Sequence, residues 1–268
     1  MNLAICSLAS GSSGNCYVVK SQTTTLLVDA GISARRIKQN LSTLGLKPQD
    51  LDGILITHEH SDHISGLETF IRSADVDVYA NANTFRGMRL VLPEERCRRF
   101  ATGDVLQIGD LSVRTFAVSH DAADPVGYSV NFEGRCIAIV TDTGIVDRAL
   151  LREIRSADIL VLESNHDEHI LRMGAYPWFL KQRILGERGH LSNEAAALAL
   201  AEVLKWEEEN GACKDRRILL AHLSQKNNFP EMAVATMENI LEEQGCPPGS
   251  KTRLTALPRA EISPFYSV

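Results

Sequence analysis

The segment Gly53-Ile54-Leu55-Ile56-Thr57-His58-Glu59-His60-Ser61-Asp62-His63 decides the reading of this chain. Its first half is an unbroken apolar run, the pattern of a strand buried on both faces of a parallel sheet. Its second half sets three histidines and two acids within six residues, at the end of that strand. Histidine is the commonest metal-ligating side chain near neutral pH. In extended backbone successive side chains alternate, so His58 and His60 point one way and Glu59 the other. Asp62 and His63 fall where the next helix begins, and the turn there sends a second pair of donors toward a second metal.

Outward from this loop, strands are predicted at 17–19, 26–28, 53–57, 76–79, 111–116, 127–132 and 136–140. Helices are predicted at 33–44, 64–73, 146–156, 193–209 and 231–244, the first capped by Ser33 and stopped by Gly45. A phrase recurs. Leu26-Leu27-Val28-Asp29-Ala30-Gly31 and Ile139-Val140-Thr141-Asp142-Thr143-Gly144 both read as strand, acid and glycine. Each is followed by a second apolar strand that ends in polar residues. The expectation is an α/β domain over 1–268, built from two similar halves at about 1–135 and 136–268. Such sheets hold ligands at the carboxyl ends of their strands.

The chain has 268 residues, with 28 basic and 34 acidic side chains and a net charge of −6. Apolar residues make up 44% and charged residues 23%, which excludes a disordered or fibrous chain. An acidic protein does not hold nucleic acid by bulk charge, so a phosphate-rich substrate must be gripped by a local patch or by metal cations. No apolar run is long enough to span a membrane, and residues 1–6 lack the basic flank of a signal peptide. The six cysteines form no C-x-x-C pair and read as buried hydrophobes of a reducing, cytoplasmic protein.

His58-x-His60-x-Asp62-His63 resembles the signature of the metallo-β-lactamase superfamily, and Asp29 resembles the acid that supports its metal site from behind. The resemblance implies an αββα sandwich. It also implies three later ligands, each after a strand: His120, Asp142 and His222. One metal would be held by His58, His60, His120 and Asp142, the other by Asp62, His63, Asp142 and His222. An all-His/Asp set suits zinc or manganese. A histidine at position 60, where flavodiiron oxidoreductases resemble H-x-E-x-D-H, argues for hydrolysis over redox chemistry.

Ser10-Gly11-Ser12-Ser13-Gly14-Asn15, Glu163-Ser164-Asn165-His166-Asp167 and Gly189-His190-Leu191-Ser192-Asn193 resemble the YycJ/WalJ-like group. No β-CASP insertion separates Asp142 from His222. The group implies a dinuclear phosphodiesterase, a 5′→3′ exonuclease working through a metal-activated hydroxide on DNA ends, with RNA a further possible substrate. By the same resemblance Asp62 and His190 stand at the reacting centre. His190, Ser192 and Asn193 meet the substrate phosphate, and Asp29, Asn165 and His166 lie behind the ligands or against substrate. Among the cations, Arg86, Arg89, Arg96, Arg98 and Arg99 form one run, and Arg172, Lys181, Arg183 and Arg188 flank the His190 loop. Two other readings use the same residues: a hydrolase of a small cyclic phosphodiester, lactone or thioester, and a regulatory or scaffold protein of cell-envelope signalling.

Overall fold

The apolar runs before Asp29 and His58 become neighbouring parallel strands. The structure is a computed structural model, and it describes residues 3–249 and 251–268. The chain divides into two compact units, one holding the residues up to Ala117 with Ala122–Arg135 and Pro258–Val268, the other Val118–Asp121 and Cys136–Leu257.

In the first unit β1 (Ala4–Ala9), β2 (Cys16–Lys20) and β3 (Thr25–Val28) pair antiparallel. From β3 the sheet continues in parallel through β4 (Gly53–Leu55), β5 (Val78–Asn81) and β6 (Cys97–Phe100). Helix α1 (Ala34–Thr43) links β3 to β4, with Ser33 accepting the Arg36 amide as cap and Ile37 and Leu41 buried. The helix expected at 64–73 is two short ones, α2 (Ser61–Ile64) and α3 (Leu67–Ile71). The break is Gly66, whose amide donates to the Ala30 carbonyl and where a Cβ would be driven into the carbonyl of Ile32. Helix α4 (Ala82–Gly87) lies between β5 and β6. Strands β7 (Val105–Ile108), β8 (Leu111–Ala117) and β9 (Val126–Phe132) form an antiparallel meander.

The arginine run is divided between α4, the irregular segment after it, a short turn and β6, and much of it is paired. Arg96 meets Asp75 and Asp77, Arg98 lies 2.8 Å from Asp77, and Arg99 lies 2.6 Å from Glu94. Cations neutralised in this way make a poor phosphate track.

The second unit is a parallel sheet of β10 (Arg135–Val140), β11 (Ile159–Glu163), β12 (Arg216–Ala221) and β13 (Thr252–Ala256). Its helices are α5 (Arg148–Ile154), α6 (Glu168–Met173), α7 (Trp178–Leu185), α8 (Asn193–Glu209) and α9 (Pro230–Glu243). Ile137 to Val140, Ile159 to Leu162 and Ile218 to Ala221 are buried throughout, which explains their unbroken apolar sequences. The last strand, β14 (Tyr266–Ser267), returns to the first unit and pairs with β1. In both units the parallel strands release polar residues at their carboxyl ends: Asp29 and His58 in one, Asp142, Glu163 and His222 in the other.

Candidate metal centre

In the first unit the loop after β4 folds as the alternation predicts. The rings of His58 and His60 lie with centroids 4.6 Å apart, and that of His63 lies 4.1 Å from His58. Glu59 points elsewhere and accepts the Ala123 amide at 2.8 Å. Asp62 lies 3.6 Å from Nε2 of His63.

Asp29 is fully buried and organises this loop. Its carboxylate accepts the Thr57 amide at 2.9 Å, the Thr57 hydroxyl, and Nδ1 of His63 at 2.7 Å. The Thr57 hydroxyl lies 3.1 Å from Nδ1 of His58, so a proton on that nitrogen reaches Asp29 through one relay. Asn15 completes the support. Its backbone bonds to Asp62 and Gly31, and its carboxamide lies 3.1 Å from Nε2 of His63. Gly31 is required here, since a Cβ would enter the carbonyl of Asp62.

In the second unit His120, His190 and His222 surround Asp142 Oδ1 at 3.7, 3.6 and 3.5 Å. Asp142, Glu163, His190 and His222 offer donor atoms within 4.8 Å of one another. Glu163 is fully buried, a position that costs a carboxylate several kcal/mol unless donors surround it. Four do. Oε1 accepts Nδ1 of both His190 and His222 at 2.8 Å, and Oε2 accepts the amides of Thr143 and Leu191. Burial opposes its charge, but His190 beside it outweighs burial and holds the carboxyl below the usual range. With Oε1 facing two imidazoles, Glu163 serves as an orienting group. In the sequence the one signal of this role is that Glu163 is an acid closing a strand otherwise wholly apolar.

His120 donates from Nδ1 to the Gly189 carbonyl at 2.9 Å, and burial keeps its ring toward the neutral form that a metal requires. Asn165 donates to the backbone carbonyl of His222 at 2.8 Å. Asp29, Asp142 and His222 take φ values of 60, 55 and 56°, the left-handed region that side chains rarely adopt. Strain of this kind persists only where surrounding bonds impose it, and it gathers at functional sites.

The residues fit divalent metal ions. His58, His63, His120 and His222 each have Nδ1 tied to a protein oxygen, directed at Thr57, Asp29, Gly189 and Glu163. That leaves Nε2 of each ring as the nitrogen that could meet a metal, the arrangement of metal-bound imidazoles, with the Asn15 carboxamide beside that atom in His63.

His190 has a side chain 20% exposed; burial opposes its charge, but Glu163 and Asp142 outweigh burial and hold the ring above the ordinary imidazole range. Ser192 caps α8 by accepting the Ala195 amide, and buried Asn193 is bound into an amide network with Ser164 and Asn228. Of the three residues that the resemblance gives to phosphate, His190 alone presents a partly exposed side chain to solvent. His166 is buried, and burial lowers its pKa to about 4, so its ring is neutral. Neither of its ring nitrogens has a hydrogen-bonding partner among the described residues.

A family model described as "Beta-lactamase superfamily domain" matches residues 24–208, which include both acid-glycine phrases and the histidine loop. The chain belongs to the beta-lactamase superfamily. Within it, the chain is 44% identical over 248 residues to "Exodeoxyribonuclease YycJ" of Bacillus anthracis, covering 91% of each protein. It is 41% identical over 241 residues to "Exodeoxyribonuclease WalJ" of Streptococcus pneumoniae serotype 2, strain D39, covering 88% of this chain and 87% of the relative. The YycJ/WalJ-like group is thus its place in the superfamily. The crystal structure of the metallo-β-lactamase fold protein YhfI from Bacillus subtilis matches with a TM-score of 0.70 at 14% identity, over 98% of this chain and 100% of the other. The fold is the αββα sandwich of the superfamily, and the protein is a metal-dependent hydrolase. No helix among the described residues is long and apolar enough to cross a membrane.

Proposed function

We propose that the protein is a dinuclear, metal-dependent exonuclease that removes nucleotides from the 5′ end of DNA. The observation that carries this reading is the set of four histidines whose Nδ1 atoms are all tied back to protein oxygens. The relatives named as exodeoxyribonucleases supply the substrate class. Following the superfamily pattern, His58, His60, His120 and Asp142 would hold one ion, and Asp62, His63, Asp142 and His222 the other, with zinc or manganese suited to the donors. Two such ions, when bound, activate water and stabilise charge on the attacking and leaving oxygens of a phosphodiester.

The protein's own groups do the rest. Asp29 and Glu163 hold the ligand imidazoles in the coordinating tautomer. Asn165 fixes the strained backbone of His222. Glu163 anchors Nδ1 of His190 and so aims Nε2 outward, where it donates a proton to the leaving oxygen or a hydrogen bond to the phosphate. His166, Ser192 and Asn193 support the loop that presents His190, with the neutral His166 ring free to bond a water or the substrate.

The test is a time course on 5′-phosphorylated duplex DNA, single-stranded DNA and RNA, labelled at one end or the other, with manganese, zinc or a chelator. Loss of mononucleotides from the 5′ end of DNA, abolished by the chelator, is the expected result. Loss from the 3′ end, or no loss from any polymer by protein loaded with metal, overturns it. In the second case turnover of a small cyclic phosphodiester would identify the other hydrolase reading.

A further inference from the structure

Asp121, the acid next to His120, has no part in the ligand set described above, yet it lies against the nitrogen of His120 that is left for a metal. Its Oδ1 is 3.4 Å from Nε2 of His120. Oδ1 of Asp142, which the superfamily pattern makes a ligand of the same ion, is 3.7 Å from that nitrogen. Asp121 is the nearer of these two carboxylates. Two donors bound to one ion at ~2.0–2.2 Å stand about 3.0–3.5 Å apart, the spacing seen here between the nitrogen and the Asp121 oxygen.

The tautomer agrees. Nδ1 of His120 lies 2.9 Å from the Gly189 carbonyl, which can only accept. In the neutral ring that metal binding requires, the proton therefore sits on Nδ1 and Nε2 carries the lone pair. A lone pair with two carboxylate oxygens within 3.7 Å is unfavourable unless a cation joins them.

The second unit fixes this placement with its own residues. β8 ends at Ala117, so His120 and Asp121 escape the alternation that sends neighbouring side chains of a strand to opposite faces. The Ser119 amide donates to the Thr143 hydroxyl, and the Ser119 hydroxyl donates to the Glu187 carbonyl at 2.8 Å. Nε of Arg188 donates to the His120 carbonyl at 3.1 Å. Oδ2 of Asp121 accepts Nε of Arg183 at 2.5 Å, while Oδ1 is the oxygen turned to His120.

We infer that Asp121 is a further ligand of the ion held by His120, and that it inclines this site toward manganese. His58, His60, His120 and Asp142 already complete a tetrahedral zinc set. An added carboxylate oxygen suits an ion that takes more ligands and favours oxygen, as manganese does. The inference rests on the dinuclear metal reading and not on the DNA substrate. It is tested on the full chain, stripped of metal, by chelator competition with manganese and with zinc. Asp121→Ala should weaken manganese at one site by about 10–100-fold and zinc by a few-fold at most. In the cobalt-substituted protein the same change should strengthen the visible absorption, because four-coordinate cobalt absorbs more intensely than cobalt with five or six ligands. Asp121→Asn, which keeps an acceptor for Arg183, should show the same preferential loss of manganese if the alanine variant fails to fold. Arg183→Ala removes the ion pair and keeps the carboxylate, so both affinities should stay near native, with Tm as the check on each fold. Equal loss of manganese in Arg183→Ala and Asp121→Ala would show that the acid acts only by holding α7, and overturns the inference. Unchanged manganese affinity and an unchanged cobalt spectrum in Asp121→Ala also overturn it. A native protein that binds neither manganese nor zinc sinks the inference together with the metal reading. Metal binding that falls as described, in a protein that degrades no DNA, upholds the ligand and sinks the exonuclease reading alone.

Discussion

Asp29 and Asp142 close the same phrase, a buried strand followed by acid, any residue and glycine, yet they do different work. Both adopt a left-handed backbone at the end of a parallel strand. Asp29 turns its carboxylate onto the Thr57 amide and hydroxyl and Nδ1 of His63, all protein donors. Asp142 instead faces three imidazoles at 3.5–3.7 Å, and the orienting task in its unit passes to Glu163 on the neighbouring strand. The glycines diverge in the same way. Gly31 admits the carbonyl of Asp62, a proposed ligand, whereas Gly144 admits the carbonyl of Glu187, in the loop before His190. One local design thus supplies a buttress in one unit and a proposed ligand in the other, and the difference lies in what the next strand delivers.

The comparison is broken most severely at the ligand. Asp142→Ala should abolish turnover, measured with labelled DNA at saturating manganese. The buttresses should be less costly. Asp29→Asn and Glu163→Gln should each weaken metal affinity or activity by about 10–100-fold, read by metal titration and initial rates. If Asp29→Asn were as damaging as Asp142→Ala even at saturating metal, the two acids would not differ as described.

The glycines separate the roles further. Gly31→Ala should displace Asp62 and lower bound metal, whereas Gly144→Ala should keep the metal and lower kcat by moving the His190 loop. Metal content and kcat measured on the same preparations distinguish the two. The smallest effect concerns the thiols. Burial pushes Cys6 up to about 11, while Cys213 is exposed. Iodoacetamide at pH 8 should therefore label Cys213 and spare the fully buried Cys6 for as long as the protein stays folded, as followed by mass spectrometry.

Much of the candidate site is legible in the sequence because its potential donors sit next to strands whose apolar runs are unmistakable. The His58 loop, His120, Asp142 and His222 all follow such runs, and α8 falls on the predicted 193–209. What was not legible depends on partners distant in sequence. Gly66 breaks the predicted 64–73 helix because of the carbonyls of Ala30 and Ile32. Glu163 acquires its role only when His190, His222, Thr143 and Leu191 converge on it. The pairing of the arginine run depends in part on Asp75 and Asp77, which lie on an earlier loop.

The most direct test of the ligand-and-buttress account is metal stoichiometry, by elemental analysis across a titration, for the native protein and for Asp29→Asn and Asp142→Asn. The account predicts two ions per chain in the native protein, two with weaker affinity in Asp29→Asn, and fewer than two in Asp142→Asn. Two ions bound to Asp142→Asn with undiminished affinity would contradict it.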